Sequence, residues 1–201
     1  MATLVVNPTV TSDATLFSQN VNYTTAHDAL TGTVNTAGYS WAGQYLFGGV
    51  YEVARTALFF DTSGLGGGAT VTGATLSLKG QADVSTTDFN LTIVSGDDLT
   101  DRLVAADFGD MLDNVTSYGL LNTSGWLVED WNSILLNPAG LAAISLTGTT
   151  KFGFRSSLDI SPTAPANDEE VFWYNGLAFA DQLPILTITY TTGFVPKIFF
   201  F

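Results

Sequence analysis

Short runs in which apolar and polar residues alternate recur along the chain, separated by clusters of Gly, Pro, Asn, Asp, Ser and Thr. The clearest run is residues 74–78, where Ala and Leu alternate with Thr and Ser. A two-residue period places successive side chains on opposite faces of a strand, so this run predicts a strand with one buried face. Further strands are predicted at residues 3–6, 14–17, 55–60, 89–94, 126–131, 151–156, 170–174 and 186–190. This rhythm is typical of an antiparallel β-sandwich.

One helix start is evident in the pattern. Asn137 followed by Pro138 combines an N-cap side chain with a proline at the first helical position, which predicts a short helix over residues 138–144. Residues 19–49 are polar, aromatic and rich in glycine without a lasting period, so they are predicted to form a long ordered connection between strands that can include a short strand near residues 45–47. Connections of this length tend to carry function or form interfaces.

The segment from Arg55 to Gly80 resembles a known family. Residues 55–61 have the form Arg-x-x-Leu-x-Phe-Asp, and after a glycine-rich turn residues 69–78 read Ala-Thr-Val-x-x-Ala-Thr-Leu-Ser-Leu. This pair of segments resembles the central hairpin of DNRLRE-type jelly-roll modules, which are similar to carbohydrate-binding modules and occur in secreted bacterial proteins and phage structural proteins. The resemblance implies an all-β, antiparallel jelly-roll β-sandwich with one short helix at one end. No linker divides the chain, so residues 1–192 are predicted to form one domain, followed by an apolar tail at residues 193–201.

The composition narrows the classes of partner. Hydrophobic residues make up 46% of the chain and charged residues 12%, which suits a protein whose faces are buried against copies of itself or other partners. The chain contains six Lys and Arg residues and nineteen Asp and Glu residues, which gives a net charge of -13. Binding to nucleic acid or to an anionic membrane is therefore excluded, because either needs a basic face. The absence of cysteine excludes disulfides and thiolate chemistry.

The first residues of the chain bear on its localisation. They contain no basic region followed by an apolar run of about seven residues, which predicts a protein that does not use the general secretion route if residue 1 is its natural start. No apolar run approaches the roughly 18 residues of a transmembrane helix. We therefore expect a virion protein assembled in the host cytoplasm, with an extracellular protein as the alternative.

Catalytic residues are not evident. His27 is the only histidine, and a Ser-His-Asp triad would need it to act with Asp28, whose side chain points away from it on an extended chain. Nothing in the sequence singles out a pair of carboxylates for glycoside hydrolysis, since their separation is spatial. The chain is predicted not to be an enzyme, and His27 is predicted to lie in a loop or on the surface.

An acidic stretch raises the question of a metal. Asp107, Asp110 and Asp113 recur every three residues. Oxygen-rich loops bind Ca²⁺, and sandwiches related to the family that the chain resembles often carry a structural Ca²⁺. The spacing does not match an EF-hand, so a Ca²⁺ site and a solvated acidic loop both stay open, and no other cofactor is predicted.

Aromatic residues supply two candidate contact sites. Tyr39, Trp41 and Tyr45 lie in the long connection and are the candidate glycan-binding residues, because planar aromatic rings stack on sugars; burial in the core or in an interface is the alternative. The tail contains the candidate partner-contact residues, which are Phe194, Ile198, Phe199, Phe200 and Phe201. An apolar chain end of this kind either packs on its own domain as a final strand or inserts into a neighbouring subunit.

These observations give a leading prediction of function with two alternatives. The leading prediction is a non-catalytic structural protein of a phage virion, either a capsid decoration protein or a tail or fibre subunit, whose partners are copies of itself and other virion proteins. The first alternative is a carbohydrate-binding module or receptor-binding adhesin that binds surface glycans. The second is a subunit of a self-assembling extracellular filament, which would donate a strand between copies.

Overall fold

The computed structural model describes residues 1–9, 14–175 and 181–192 of the chain. In this part of the chain twelve strands are connected by turns and short helices. The strands are β1 (Ala2–Val6), β2 (Ala14–Asn20), β3 (Thr33–Asn35), β4 (Tyr39–Phe47), β5 (Val50–Asp61), β6 (Ala69–Asp83), β7 (Asn90–Ser95), β8 (Gly119–Asn122), β9 (Trp131–Leu135), β10 (Thr149–Ser156), β11 (Glu169–Tyr174) and β12 (Ile185–Thr192). The α-helices are α1 (Tyr23–His27), α2 (Asp107–Asp110), α3 (Pro138–Ala142) and α4 (Ser157–Ile160), and 3₁₀ turns occupy Ser63–Leu65 and Thr123–Gly125.

All strand pairs are antiparallel, and the order along the main path is β1-β12-β6-β11-β4-β5-β10-β7-β8. β2 pairs with β5 and β3, and β9 pairs with β6. The long strand β6 pairs with β12 through its first half and with β11 near its end, so the sheet curls over on itself. The prediction of an all-β antiparallel sandwich is confirmed. None of the helices in the ranges given above is long and apolar enough to cross a membrane.

The main core lies between the two halves of the curled sheet. Its walls alternate as the sequence predicted: Ala74, Leu76 and Leu78 of β6 are at most 3% exposed, whereas the residues between them are half-buried. Aromatic side chains fill the centre, where the rings of Phe154 and Trp173 lie 5.5 Å apart. Burying an aromatic or branched side chain contributes about 1.5–3 kcal/mol, so this alternation supplies most of the driving force for the fold.

A smaller cluster lies on the other face of β2 and β5. Leu16, Val53, Phe59 and Phe108 are buried there together with Met111, beneath α1, α2 and the loop that follows α2. Arg55 enters this cluster from β5 and is fully buried. Its guanidinium lies 4.2 Å from the centre of the Phe108 ring. Arg55, the first residue of the Arg-x-x-Leu-x-Phe-Asp segment, is therefore a residue of the interior.

Two buried arginines share one buried aspartate. Asp159 of α4 accepts hydrogen bonds from Arg55 Nε and Nη2 at 3.0 and 2.8 Å, and from Arg155 Nε at 2.6 Å. Burial alone would raise the pKa of Asp159, but the charge of Arg55 and hydrogen bonds from the surrounding side chains hold it well below its usual range. Both arginines also donate to backbone carbonyls of the loop around α2, such as Phe108 and Leu112. The cluster thus fixes irregular segments to the sheet.

The prediction that His27 lies in a loop or on the surface is wrong. His27 ends α1 and is 5% exposed, with Nε2 2.8 Å from the backbone oxygen of Asp159 and Nδ1 2.5 Å from Asp28 Oδ1. The hydrogen bond to the side chain of Asp159, whose Oδ1 lies 3.2 Å from His27 Nε2, is the largest cause that raises the pKa of His27, against the effect of burial. Its contacts are those of a structural residue of the buried ion cluster.

The prediction of one long connection over residues 19–49 is also wrong. This segment contains the end of β2, helix α1, strand β3 and the nine-residue strand β4. The short strand predicted near residues 45–47 is the end of β4. Polar Ser40 and Gln44 lie on the same fully buried face of β4 as apolar Ala42, whereas the other face carries aromatic residues. Because the buried face is partly polar, the strand shows no alternation that marks an apolar buried side, which is why it was missed.

The predicted strand at residues 126–131 lies too early, since β9 occupies Trp131–Leu135. Residues 127–130 form a turn that lies against β6. The contact is so close that a Cβ on Gly80 of β6 would overlap the Leu127 carbonyl oxygen. Glu129 has a φ of 59°, which ends an extended conformation. The helix predicted from Asn137 is present as α3, with the Asn137 side chain accepting from Gly140 N. Three further short helices accompany it in the described ranges.

Candidate binding site

The three predicted glycan-binding residues all lie on β4, and the pairing of β4 with β11 adds a fourth aromatic ring. Trp41 is the partner of Phe172 in the antiparallel register, and their rings stack at 5.9 Å with an interplanar angle of 21°. Tyr39 lies 6.1 Å from Trp41 and 6.0 Å from Phe172. We call the surface formed by the side chains of Tyr39, Trp41, Tyr45, Phe47 and Phe172 the aromatic face.

Gly43 creates an opening in the middle of the aromatic face. It lies between Trp41 and Tyr45 on the same side of β4, and it pairs with Glu170 of β11. A Cβ at this position would overlap the carbonyl oxygen of Glu169, and the φ of 142° is one that residues with a side chain rarely adopt. The close approach of the two strands therefore requires glycine here, and it leaves no side chain on the residue that faces Glu170 across the strand pair.

Glu52 is a buried carboxylate with partners at the edge of this opening. It is 4% exposed and accepts hydrogen bonds from Gln19 Nε2 at 2.7 Å and from Trp41 Nε1 at 3.2 Å. Gln19 Nε2 also donates to the Tyr45 hydroxyl at 2.8 Å. Burial raises the pKa of Glu52, and these hydrogen bonds offset the effect only in part. The network holds the rings of Trp41 and Tyr45 in place.

Glu170 is a buried carboxyl that lacks such partners. It is 5% exposed, and its Oε1 atom has no hydrogen-bond partner among the described residues. Burial is the largest cause that raises its pKa, followed by the negative charges of Glu52 and Asp168, and the result is a pKa of about 8. The group is therefore mostly protonated at neutral pH. A buried polar atom without a partner costs roughly 1–3 kcal/mol, so its position calls for an explanation.

The Glu170 side chain lines a cavity. The cavity has a volume of about 320 Å³ and is bounded by Tyr45, Phe47, Val84, Asp168, Glu170 and Phe172. Phe47 is 79% exposed at its rim, and the Asp168 carboxylate is exposed beside it. A small concave site with apolar walls and few polar groups is the usual form of a small-molecule site, and this volume lies at the lower end of the range.

The sequence predicted part of this site. Tyr39, 43% exposed, lies on the aromatic face, and half-buried Tyr45 lines the cavity. Trp41 is only 7% exposed, so it supports the neighbouring rings instead of offering a free face. The sequence analysis did not single out Glu52, Glu170 or Phe172. The sequence did contain a hint of Glu170 and Phe172, because residues two positions apart in a strand lie on the same face. The predicted strand at residues 170–174 therefore placed an acidic and an aromatic side chain side by side.

The candidate metal ligands do not converge. Asp107 is buried, and its carboxylate accepts hydrogen bonds from Thr100 N, Thr100 Oγ1 and Val104 N at 2.6–2.9 Å. Asp110 and Asp113 are exposed. Within residues 1–9, 14–175 and 181–192, no group of three or more His, Asp or Glu side chains is arranged to hold a metal ion. The structure therefore gives the Ca²⁺ prediction no support, and Asp107 instead stabilises its own loop.

The candidate partner-contact residues Phe194, Ile198, Phe199, Phe200 and Phe201 lie outside the described residues. Their predicted role in contacts between subunits stays a prediction.

The fold and this surface together define an all-β antiparallel sandwich with a small aromatic and acidic cavity beside β4 and β11. No protein-family model matches the chain, and no curated protein is significantly similar to it. The resemblance to DNRLRE-type modules therefore stays a prediction, and function has to be argued from the cavity itself.

Proposed function

We propose that this chain is a non-catalytic carbohydrate-binding protein whose ligand, a neutral sugar, binds in the cavity beside Glu170. One observation carries the proposal: a buried carboxyl atom without a hydrogen-bond partner lines a cavity with aromatic walls. The fold gains nothing from this arrangement, because an unpartnered buried oxygen is destabilising. A ligand that donates a hydrogen bond to Glu170 Oε1 would remove the penalty.

The chemistry of the walls favours a sugar among small ligands. A pyranose offers C–H groups on its ring faces, which pack on aromatic side chains, and hydroxyl groups at its edge, which donate and accept hydrogen bonds. Phe172, Tyr45 and exposed Phe47 supply the apolar contacts, and the Glu170 carboxyl supplies the polar contact. A protonated carboxyl both donates and accepts, so it matches a hydroxyl group in either orientation.

Charge favours a neutral sugar over an anionic one. Asp168 and Glu170 line the cavity, and Glu170 already keeps its proton partly because of the negative charges of Glu52 and Asp168. A carboxylated or sulfated sugar would add a further negative charge in a chain whose net charge is -13.

Binding is favoured over hydrolysis by the state of Glu52. A glycosidase needs a second carboxylate that is free to attack the sugar or to activate water. Both oxygens of Glu52 are engaged by neighbouring side chains, Oε1 by Trp41 and Oε2 by Gln19. Its position therefore supports a role in holding the aromatic face together.

The test is a screen of neutral and anionic oligosaccharides followed by titration calorimetry on the best ligand. We expect a neutral glycan to bind, and Glu170→Leu and Phe47→Ala each to weaken binding about tenfold, the effect of losing one hydrogen bond or one aromatic contact. Leu135→Ala is the matched control, because Leu135 is a 71% exposed apolar residue of β9 that does not line the cavity. Absence of binding to any neutral glycan, or equal binding by Glu170→Leu, contradicts the proposal.

The virion role predicted from the sequence is compatible with this proposal. A receptor-binding adhesin on a virion combines the two, since it binds surface glycans and assembles with other virion proteins. The filament alternative stays a prediction.

A further inference from the structure

The surface that begins at the Glu170 cavity continues along β11 beyond it. Glu170, Phe172 and Tyr174 share one face of β11, because side chains two positions apart in a strand point to the same side. In the antiparallel register with β4, Phe172 pairs with Trp41 and Tyr174 pairs with Tyr39. We call Tyr39 and Tyr174 the tyrosine pair; it follows Phe172 along β11, on the side away from Glu170.

The tyrosine pair is open to a ligand. Tyr39 is 43% exposed, and Tyr174 is half-buried. The ring of Tyr39 lies 6.0 Å from the ring of Phe172, which is itself a wall of the cavity. The aromatic surface is therefore continuous from the cavity to the tyrosine pair.

Polar groups lie beside the tyrosine pair. The Tyr174 hydroxyl donates a hydrogen bond to Glu129 Oε1 at 2.8 Å, and Glu129 is exposed. Lys79 Nζ donates to the backbone oxygen of Glu129. A carboxylate that accepts hydrogen bonds and an ammonium group that donates them thus lie at the end of an aromatic surface. This repeats the combination found at the cavity, where aromatic walls meet the Glu170 carboxyl.

The cavity and the tyrosine pair are too far apart for one sugar ring to contact both. The four residue steps of β11 from Glu170 to Tyr174 extend over about 13 Å. This distance is longer than a pyranose ring and matches a short chain of linked sugars.

We propose that the glycan-binding site runs along β11 from the Glu170 cavity to the tyrosine pair, and that its ligand is a linear neutral oligosaccharide. The inference rests on the proposed function, since one unit of the chain occupies the cavity. A chain held in the cavity has its further units at a high effective concentration beside the tyrosine pair, so affinity rises with chain length.

The test is titration calorimetry with chains of two lengths. The probes are linear neutral oligosaccharides of glucose, mannose or galactose, each used as the disaccharide and as the tetrasaccharide. They are titrated into the wild type, Tyr174→Ala, Tyr39→Ala and Glu170→Leu. Leu120→Ala is the control, because Leu120 is an exposed apolar residue of β8, the last strand of the main path.

For the series that binds best, we expect the wild type to bind the tetrasaccharide at least about tenfold more tightly than the disaccharide. Tyr174→Ala and Tyr39→Ala should each weaken tetrasaccharide binding about tenfold, because each removes an aromatic contact, and should leave disaccharide binding unchanged. Glu170→Leu should weaken binding of both lengths, and Leu120→Ala of neither.

Two results would overturn this inference alone. Equal affinity for the two lengths, unchanged in both tyrosine variants, confines the ligand to the cavity, so the proposed function stands and the extended site does not. Equal weakening of both lengths by the tyrosine variants shows that the substitutions disturb the cavity instead of removing contacts of their own. Absence of binding by every neutral chain contradicts the proposed function and this inference with it.

Discussion

Replacing Glu170 with glutamine is expected to stabilise the protein at neutral pH. In the unfolded chain this carboxyl ionises with its ordinary pKa of 4.5, whereas in the folded protein its pKa is about 8. Between these two values the unfolded state has released a proton that the folded state keeps, so the free energy of unfolding falls as pH rises. Glutamine does not ionise in either state, and the substitution therefore removes this loss of stability.

The size of the effect follows from the two pKa values. At pH 7 the pH is about 2.5 units above the pKa of the unfolded carboxyl, while the folded carboxyl is still mostly protonated. At 1.36 kcal/mol per pKa unit, the loss in the free energy of unfolding amounts to about 3 kcal/mol. For a chain of this size that corresponds to a rise in Tm of roughly 6–12 °C. At pH 5 the difference falls to a little under about 1 kcal/mol, because the pH is then only about 0.5 unit above the pKa of the unfolded carboxyl.

The assay is thermal unfolding followed by tryptophan fluorescence from pH 5 to pH 8 for the wild type and Glu170→Gln. Glu169→Gln is the matched control, because Glu169 is equally buried but accepts from Thr86 Oγ1 at 2.7 Å and Thr87 N at 2.6 Å. It should lower Tm, since it weakens satisfied hydrogen bonds. His27, whose pKa is raised, loses its contribution as pH rises above 6.5 in all three proteins, so it cancels from the comparison. A Glu170→Gln protein no more stable than the wild type at pH 7 refutes the reasoning.

Further predictions concern the fold. Asp159→Asn leaves the guanidinium groups of two buried arginines without a counter-charge and should cost about 3–5 kcal/mol in the free energy of urea unfolding. Asp101→Asn should cost nothing measurable, because Asp101 is fully open to solvent in its ion pair with Lys151. Gly43→Ala should disrupt the pairing of β4 with β11 and lower Tm, while Gly73→Ala, which meets open space, should leave Tm nearly unchanged; equal shifts for the two would contradict the steric argument.

The parts of the fold that were predictable from sequence are strands in which apolar residues alternate with polar or small ones. Residues 89–94, 151–156 and 186–190 were predicted as strands, and β7, β10 and β12 include nearly all of these positions. The pattern failed at β4 because its buried face carries polar Ser40 and Gln44, and fully buried Gln44 looks like a surface residue in the sequence. Its side chain is hydrogen-bonded to Thr163 O and Tyr23, contacts that only the folded chain provides.

The site was predictable only where its residues are close in sequence. Tyr39, Trp41 and Tyr45 follow one another along β4 at spacings of two and four, so their shared face could be inferred once a strand was assumed. Glu170 lies more than 120 positions further along the chain, and it reaches this face through the register of β11 on β4. The apolar and polar pattern within one strand does not show which other strand it pairs with. The same limit applies to Asp159, which meets Arg55 from 104 positions away.

The contrast between two buried carboxyl groups is the strongest argument for a binding role. Asp159 has no exposed surface, and its oxygens receive hydrogen bonds from two arginines, so its burial serves the fold. Glu170 is almost as deeply buried, yet among the described residues it has an unpartnered oxygen, two carboxylates as neighbours and no arginine or lysine that neutralises it. A hydrophobic residue at position 170 would remove that penalty and pack equally well against the aromatic rings. Destabilising groups of this kind are retained where activity depends on them, so Glu170 is the residue on which the function of this protein should first be tested.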